Sequence, residues 1–275
     1  MLKQTSPIGL FDSGIGGLTV VRQVMASMSN ENIIYFGDTA RVPYGSKSTD
    51  TVIGYSLQAA EYLESLGVKI IIIACNTASA VALEAVQSRV KIPVIGVIKP
   101  GAKAAVELSK MGRIGVIGTE GTIRSGAYKK YITEFKKDSQ VSVQACPLFV
   151  ALAEEGWAHH KATLLIANEY LKPLLNNSID TLIMGCTHYP VLEPSIAEIC
   201  GDNIVLIDPG IATSIEAKKV LAENNLLNDT SDDPRYEYYL TDLPHKFVEV
   251  GEQFLGKKMD HYQRITLEDL SIFGH

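Results

Sequence analysis

Hydrophobic residues in this chain are concentrated in short uninterrupted runs rather than in alternating patterns. Continuous runs of Ile, Val and Leu are typical of strands that are buried on both faces of a parallel sheet. Each run is followed by glycines or polar residues, which mark where the predicted strand ends. The pattern predicts seven strands, at residues 8–11, 33–36, 68–74, 93–98, 113–117, 181–184 and 204–207.

Apolar residues recur at helical intervals between these runs, most clearly over residues 51–66 and 159–175. Alternating strands and helices are typical of an α/β fold with a mostly parallel sheet. The tail contains an acidic, turn-rich connection at 228–234, a last strand "YEYYLT" and an amphipathic helix near 247–255. This tail is too short for a third domain, so we expect it to pack back on the first part of the chain.

Two pairs of motifs suggest an internal repeat. "IGLFDSGIGG", which starts at Ile8, resembles "IGVIGTEGTI", which starts at Ile114, at an offset of 106. "IIIACNTA" resembles "LIMGCTHY", and the cysteines of the two motifs are 111 positions apart. Similar offsets for separate motif pairs predict two related α/β lobes.

Composition excludes several classes of function. The formal net charge is -6, which argues against a nucleic-acid-binding surface. The first residues lack the apolar core of a signal peptide and no apolar run is long enough to span a bilayer, so we expect a cytoplasmic protein without a membrane partner. The cysteines form no CxxC pair and the histidines no HxxxH pair, so no metal is predicted.

Two of the four cysteines stand at the ends of apolar runs. Cys75 and Cys186 both follow a predicted strand, at the edge where ligands of α/β sheets bind. A thiolate acts as a base or nucleophile when neighbouring groups stabilise it, and we interpret this pair as thiols with a shared role. The other two cysteines lack such surroundings and are interpreted as structural: Cys146 and Cys200. Polar side chains that can hydrogen-bond a small ligand follow the pair: Asn76, Thr77 and Ser79 after the first, Thr187 and His188 after the second.

The residues alone leave several roles open. Asp12 precedes a glycine-rich turn and is either a helix cap or a proton-handling partner of a thiol. Cys186 and His188 could serve a cysteine hydrolase, but they would need a sharp turn to meet. Glu154 fits a solvated helix face as well as a site. Tyr44 and Gly45 fit a pocket wall and a surface turn equally well, whereas Thr119 and Thr122 are most simply interpreted as helix-capping residues.

Several long motifs in order carry a resemblance to a known family. They are "GLFDSGIGGLTV", "YFGDTARVPYGSKS", "IIIACNTASA", "PVIGVIKPGA", "IGVIGTEGTI" and "LIMGCTHYP". Together they span residues 8–208 and resemble the glutamate racemases, cofactor-independent enzymes of the aspartate/glutamate racemase superfamily. The resemblance implies interconversion of L- and D-glutamate by two bases, with no cofactor, and a supply of D-glutamate for peptidoglycan synthesis.

The resemblance also implies roles for individual residues. Cys75 and Cys186 would be the two acid/base groups. Asp12 would be the carboxylate beside Cys75 and His188 the imidazole beside Cys186, and Glu154 would be a second assisting residue. One departure is Ala151, where some relatives are expected to have proline. The substrate contacts implied by the family are Asp12, Ser13, Tyr44, Gly45, Asn76, Thr77, Thr187 and His188.

The same resemblance implies the organisation of the whole molecule. A first α/β lobe would comprise residues 1–97 and 208–275, and a second lobe residues 98–207. Each lobe would have a mostly parallel sheet flanked by helices, with the active site in the cleft between them and a homodimer as the assembly. Two alternatives stay open: an aspartate racemase of the same superfamily, and a non-catalytic two-lobed amino-acid-binding protein.

Overall fold

Two separate parallel sheets, each flanked by helices, form the molecule. The computed structural model describes residues 2–243 and 245–274. Met1 and His275, which end the predicted first lobe, and Pro244 within it lie outside the described residues. The predicted α/β class with two lobes is confirmed. The lobe boundaries at residues 97 and 208 stay a prediction.

The larger sheet has six strands in the order β10-β9-β2-β1-β3-β4, all paired in parallel. Its central strands are buried along their whole length, as their uninterrupted apolar sequences predict. Because β9 pairs with β2, the tail of the chain extends this sheet. The strands are β1 (Ile8–Asp12), β2 (Ile33–Gly37), β3 (Ile70–Ile73), β4 (Val94–Gly96), β9 (Tyr236–Leu240) and β10 (Tyr262–Arg264).

The smaller sheet has four parallel strands in the order β6-β5-β7-β8. The motif pairs of the internal repeat occupy matching strands: β1 and β5 are central, with β3 and β7 beside them. Both cysteines of the second motif pair therefore follow equivalent strands. The strands are β5 (Arg113–Gly118), β6 (Gln140–Ala145), β7 (Thr181–Gly185) and β8 (Val205–Ile207).

Helices cover the sheets, and the two long helices predicted from periodicity are present with shifted ends. Helix α2 begins at Thr49 because the Ser48 hydroxyl caps it by accepting from the Thr51 amide. The helices are α1 (Leu18–Ser27), α2 (Thr49–Ser65), α3 (Asn76–Arg89), α4 (Ile98–Leu108), α5 (Glu120–Ser125), α6 (Ala127–Phe135), α7 (Leu148–Glu154), α8 (Lys161–Asn176), α9 (Glu193–Cys200), α10 (Pro209–Glu223), α11 (Phe247–Leu255) and α12 (Leu267–Leu270).

Some predicted strands differ from the observed ones. The run at 93–98 is wrong at its end, because Ile98 is the first residue of α4 and the strand stops at Gly96. Strands β6 and β10 were not predicted. Both are edge strands with largely exposed or half-buried residues, so neither has the continuous apolar run that marks a buried strand.

The core is continuous between the two sheets. One cluster of buried side chains includes Leu10 and Leu18 near the larger sheet and Phe149 and Leu182 near the smaller one. Because this apolar contact joins the lobes, the carboxyl ends of β3 and β7 are held at a shared boundary. Across that boundary the Thr19 hydroxyl donates to the Thr187 carbonyl oxygen at 2.8 Å.

Candidate active site

A cavity of about 500 Å³ lies at the carboxyl ends of the central strands, where the two lobes meet. This is the expected position for a ligand in parallel α/β sheets. Asp12 and Ser79 are absent from its wall, and the other site residues expected from the sequence line it. The Ser79 hydroxyl instead accepts from the Ile98 amide. The lining residues are Ser13, Gly14, Val42, Pro43, Tyr44, Gly45, Ser46, Cys75, Asn76, Thr77, Thr119, Glu120, Pro147, Val150, Ala151, Glu154, Cys186, Thr187 and His188.

Cys75 approaches the cavity from the larger sheet. It follows β3 and caps α3, where its sulfur accepts from the Ala78 amide at 3.5 Å. Its Sγ also lies 3.8 Å from the Ser13 hydroxyl. Burial, reinforced by the negative charge of Asp12, raises the pKa of Cys75 to about 12. This group is therefore a thiol at neutral pH.

Asp12 lies behind the wall rather than in it. It ends β1, is 1% exposed, and its Oδ2 accepts from the Gly14 amide at 3.0 Å. Its Oδ1 has no hydrogen-bond partner among the described residues. Burial raises the pKa of Asp12, while the nearby charge of His188 and backbone amides oppose that shift. Asp12 thus influences Cys75 through charge, with Ser13 between it and the cavity.

Cys186 approaches from the smaller sheet and has an imidazole beside it. The chain turns sharply between Cys186 and His188, as contact between the two side chains requires. The Cys186 sulfur lies 3.7 Å from the His188 Nδ1. The opposite ring nitrogen, Nε2, lies 2.9 Å from the Glu154 Oε1. Burial lowers the pKa of His188, but the hydrogen bonds with Cys186 and Glu154 outweigh it and raise the pKa to about 10. The ring is therefore cationic and can balance a Cys186 thiolate.

Glu154 is the one member of the Glu154–Glu155 pair that faces the site. It ends α7, lines the cavity and orients His188, while its side chain is 48% exposed. Glu155 is exposed and is absent from the cavity wall. Ala151, one turn earlier on α7, also lines the cavity, so α7 reaches the site with alanine at this position.

Threonine hydroxyls close the cavity where α3 and α5 begin. The Thr77 and Thr119 hydroxyls lie 2.8 Å apart, and the Thr119 oxygen also accepts from the Thr122 amide. The capping role predicted for Thr119 is thus present, but its place in the cavity wall was not predicted from the sequence. The only signal was its position in the repeat, where "GTEGT" matches the glycine-rich turn after β1.

Tyr44 and Gly45 form a neighbouring part of the wall, next to Thr119. The Tyr44 hydroxyl donates to Asp38, a buried carboxylate that also accepts from Arg41 and Thr241. Gly45 is required by a close approach, since a Cβ there would lie 2.8 Å from the Thr119 Cβ. The loop is therefore held by buried contacts. Tyr44 and Gly45 form part of a pocket wall rather than an exposed surface turn.

The charged side chains of the wall are acidic except for His188. Among the described residues that line the cavity there is no Lys or Arg. A carboxylate ligand would therefore be bound by hydroxyls, by side-chain amides and by free backbone N–H groups such as those at the start of α3.

The remaining two cysteines do not belong to the cavity. Cys146 and Cys200 are buried and neither is among the residues that line the cavity. Within residues 2–243 and 245–274, no three His, Cys, Asp or Glu side chains are grouped so that they could hold a metal ion. No helix in that part of the chain is long and apolar enough to cross a membrane.

Comparisons with known proteins agree on one family. The model of the Asp/Glu/hydantoin racemase family matches residues 18–215. The chain is 51% identical to the glutamate racemase of Chlorobaculum tepidum and 48% identical to that of Geobacter metallireducens, in each case over 95% of this chain and 97% of the relative. The resemblance inferred from the motifs is confirmed.

The fold is similar to a solved structure of the same kind. The crystal structure of glutamate racemase from Francisella tularensis subsp. tularensis SCHU S4 in complex with D-glutamate superposes with a TM-score of 0.91 at 44% identity. The match covers 97% of this chain and 99% of that chain.

Proposed function

The chain belongs to the glutamate racemases of the Asp/Glu/hydantoin racemase family, and from this premise we propose that it interconverts L- and D-glutamate by proton transfer between two cysteines. The observation that carries the proposal is the position of the thiols. Cys75 comes from the larger sheet and Cys186 from the smaller sheet, and both line one cavity. Burial is the main cause of the raised pKa of Cys75, and a negative charge at Cys186 would add to it, so the two thiols lie within electrostatic range of each other.

Two acid/base groups are needed because racemisation removes a hydrogen from one face of the α-carbon and delivers one to the other. A single base would tend to return the proton to the face it came from. In the proposed reaction, the thiolate of Cys186 takes the α-proton and the thiol of Cys75 supplies a proton to the opposite face. The thiol and thiolate exchange roles in the reverse direction.

The surroundings of the thiols fit the starting protonation states of this reaction. The cationic ring of His188 at 3.7 Å stabilises a Cys186 thiolate, and Glu154 keeps that ring oriented. On the other side, burial and the charge of Asp12 keep Cys75 protonated. We propose that Asp12, through its raised pKa, takes part in proton handling when Cys75 serves as the base.

The carbanion-like transition state needs stabilisation because the α-proton of an amino acid is weakly acidic. We assign this role to the hydrogen-bond donors that surround the substrate carboxylates. Exclusion of water from the cavity strengthens such contacts. The residues proposed to contact the substrate are Ser13, Tyr44, Gly45, Asn76, Thr77, Thr187 and His188, with Asp12 acting from behind Ser13.

A second candidate function, hydrolysis with Cys186 as nucleophile, is favoured by one observation. Cys186, His188 and Glu154 form a chain of contacts in the order nucleophile, base and orienting carboxylate. This reading leaves Cys75 without a role. The two functions differ in D₂O, since racemisation introduces deuterium at the α-carbon of recovered substrate and hydrolysis does not.

Finer points of the proposal follow from the family. The substrate is glutamate rather than aspartate, no cofactor takes part, and the D-glutamate supplies peptidoglycan synthesis in a bacterial cytoplasm. The assembly is proposed to be a homodimer, which light scattering of the purified chain tests directly. Parallel assays with L-glutamate and L-aspartate test the substrate.

The decisive experiment follows optical activity by circular dichroism during incubation with D-glutamate and no added cofactor. The wild type should lose the signal as the mixture becomes racemic, and Cys75→Ala and Cys186→Ala should each leave it unchanged. Equilibration at a near-normal rate by either variant would show that its cysteine is not an acid/base group. A silent wild type would refute the function itself.

A further inference from the structure

Tyr128 of α6 occupies a central position that the proposed reaction does not use. Its side chain is buried, and its hydroxyl donates across the lobe boundary to the Asn76 Oδ1 at 2.7 Å. Its ring packs against Gly185, where a Cβ would lie 2.9 Å from the Tyr128 Cε2. Asn76 directly follows Cys75, and Gly185 directly precedes Cys186. Tyr128 therefore lies between the two chain segments that carry the thiols.

The contact with Tyr128 determines which end of the Asn76 amide is free. An asparagine amide has an acceptor oxygen at one end and two N–H donors at the other. Because Oδ1 accepts from Tyr128, the Nδ2 group remains for the cavity that Asn76 lines. No hydrogen bond from this Nδ2 to another described residue is present. Reversal of the amide would instead turn an oxygen toward a bound carboxylate, which would repel it.

This orientation matters because the described cavity wall contains no Lys or Arg. Apart from the His188 ring, the donors that this wall offers a dicarboxylate amino acid are neutral, and each correctly oriented N–H contributes to affinity. The hydroxyl group of Tyr128 is a dependable donor, since burial raises the pKa of Tyr128 well above its ordinary value. The phenol stays protonated wherever the enzyme would work.

We propose that Tyr128 is a positioning residue that orients the Asn76 amide, so that both of its N–H groups face a carboxylate of the bound amino acid. The inference rests on the proposed function and deepens it. Because Tyr128 and Asn76 belong to different lobes, the N–H groups of Asn76 are correctly oriented only when the two lobes are positioned so that this hydrogen bond forms. Recognition of the carboxylate is thereby linked to the arrangement of the two thiols.

The test is a kinetic comparison of the wild type with Tyr128→Phe, which keeps the ring and removes the hydroxyl. Loss of one orienting hydrogen bond should raise KM about tenfold, with kcat within about twofold of the wild type. Tyr131→Phe is the matched control on the same helix, because no hydrogen bond of the Tyr131 hydroxyl to a described residue is present. It should leave both constants unchanged.

A double-mutant cycle with Asn76→Ala separates orientation from general destabilisation. Asn76→Ala should raise KM at least as much as Tyr128→Phe, and Tyr128→Phe should add little in the Asn76→Ala background. An unchanged KM in Tyr128→Phe would overturn the inference. So would a double variant whose increase in KM equals the product of the two single increases. Racemisation by the wild type is read in the same assay, so failure of the proposed function would be seen separately. Far-UV circular dichroism and thermal melting establish that each variant is folded.

Discussion

At the scale of single residues, the two thiols of the cavity have opposite electrostatic neighbours. Cys75 lies near the buried carboxylate of Asp12, and Cys186 lies 3.7 Å from the His188 ring. A carboxylate disfavours a thiolate and an imidazolium favours one. The cavity is therefore asymmetric, with a neutral thiol on the side of the larger sheet and a cationic imidazole beside the cysteine of the smaller sheet.

This asymmetry predicts selective alkylation. At pH 7.5, iodoacetamide should modify Cys186 at least about tenfold faster than Cys75, because the thiolate is the reacting form. Peptide mass spectrometry over time measures both rates in one sample. His188→Asn should remove most of the preference, whereas Cys75→Ala should leave the Cys186 rate unchanged. Faster modification of Cys75 would contradict the protonated state assigned to Cys75.

The raised pKa of His188 predicts how its contribution to stability varies with pH. The folded-state pKa is about 10, above the ordinary value of 6.5. The contribution is therefore fully present below pH 6.5 and is lost as the pH rises through about 10, at roughly 1.4 kcal/mol per pKa unit. Urea unfolding of the wild type and His188→Asn should show a larger stability difference at pH 6 than at pH 10.5.

A control keeps that comparison specific to the buried ring. His159 is exposed, so His159→Asn should change the free energy of unfolding little at either pH. A difference between wild type and His188→Asn that grows toward pH 10.5 would show that His188 is neutral in the folded protein.

At the scale of elements, a buried ion pair ties the connection between α10 and β9 to the larger sheet. The Lys69 ammonium, completely buried, lies 2.5 Å from the Glu31 carboxylate and also donates to the carbonyl oxygens of Gln4 and Leu226. Glu31 in turn accepts from the Asn228 amide at 2.9 Å. The acidic, turn-rich segment that starts at residue 228 is thus anchored at its first residue.

Removal of one partner of this pair should destabilise the fold strongly. Lys69→Met leaves the Glu31 carboxylate buried without its counter-charge, which costs about 3–5 kcal/mol. Lys103→Met is the control, because the Lys103–Glu107 pair is exposed with its charges 3.9 Å apart, and it should cost at most about 1 kcal/mol. Urea unfolding measures both. Equal losses would mean that the buried pair does not anchor the segment.

At the scale of the whole molecule, the site depends on close contact between the lobes. Gly16, in the turn after β1, lies against Thr187 and His188 of the other lobe. A Cβ at Gly16 would lie 2.5 Å from the His188 Nδ1, closer than side chains can approach. Glycine at this position therefore allows the first lobe to reach the imidazole that supports Cys186.

Gly16→Ala should displace His188 and lower kcat by about tenfold or more, because small misplacements of acid/base groups have large kinetic effects. Gly54→Ala is the control within α2, where a Cβ meets no atom within 4 Å. It should leave kcat unchanged and stabilise the protein by up to about 1 kcal/mol. The assay is racemisation of D-glutamate, with thermal melting for stability. Wild-type kcat in Gly16→Ala would contradict the close packing.

Much of the architecture follows from local patterns in the chain. The uninterrupted apolar runs identify the central strands, because a strand buried on both faces needs apolar side chains at every position. The polar residues after β3 and β7 locate Cys75 and Cys186 at the ligand-binding edge. Edge strands such as β6 were not predicted, because their half-exposed positions do not form a continuous apolar run.

The pairing of functional groups across the lobes was decided only by the tertiary structure. The motifs identified Cys75, Cys186 and His188 as candidates, because strand ends and polar neighbours are local features. The place of Thr119 in the wall, the seclusion of Asp12 behind Ser13, and the hydrogen bond from Tyr128 to Asn76 depend on how two sheets pack. Local sequence patterns do not encode such contacts, since the partners are separated along the chain and meet only after both lobes have folded.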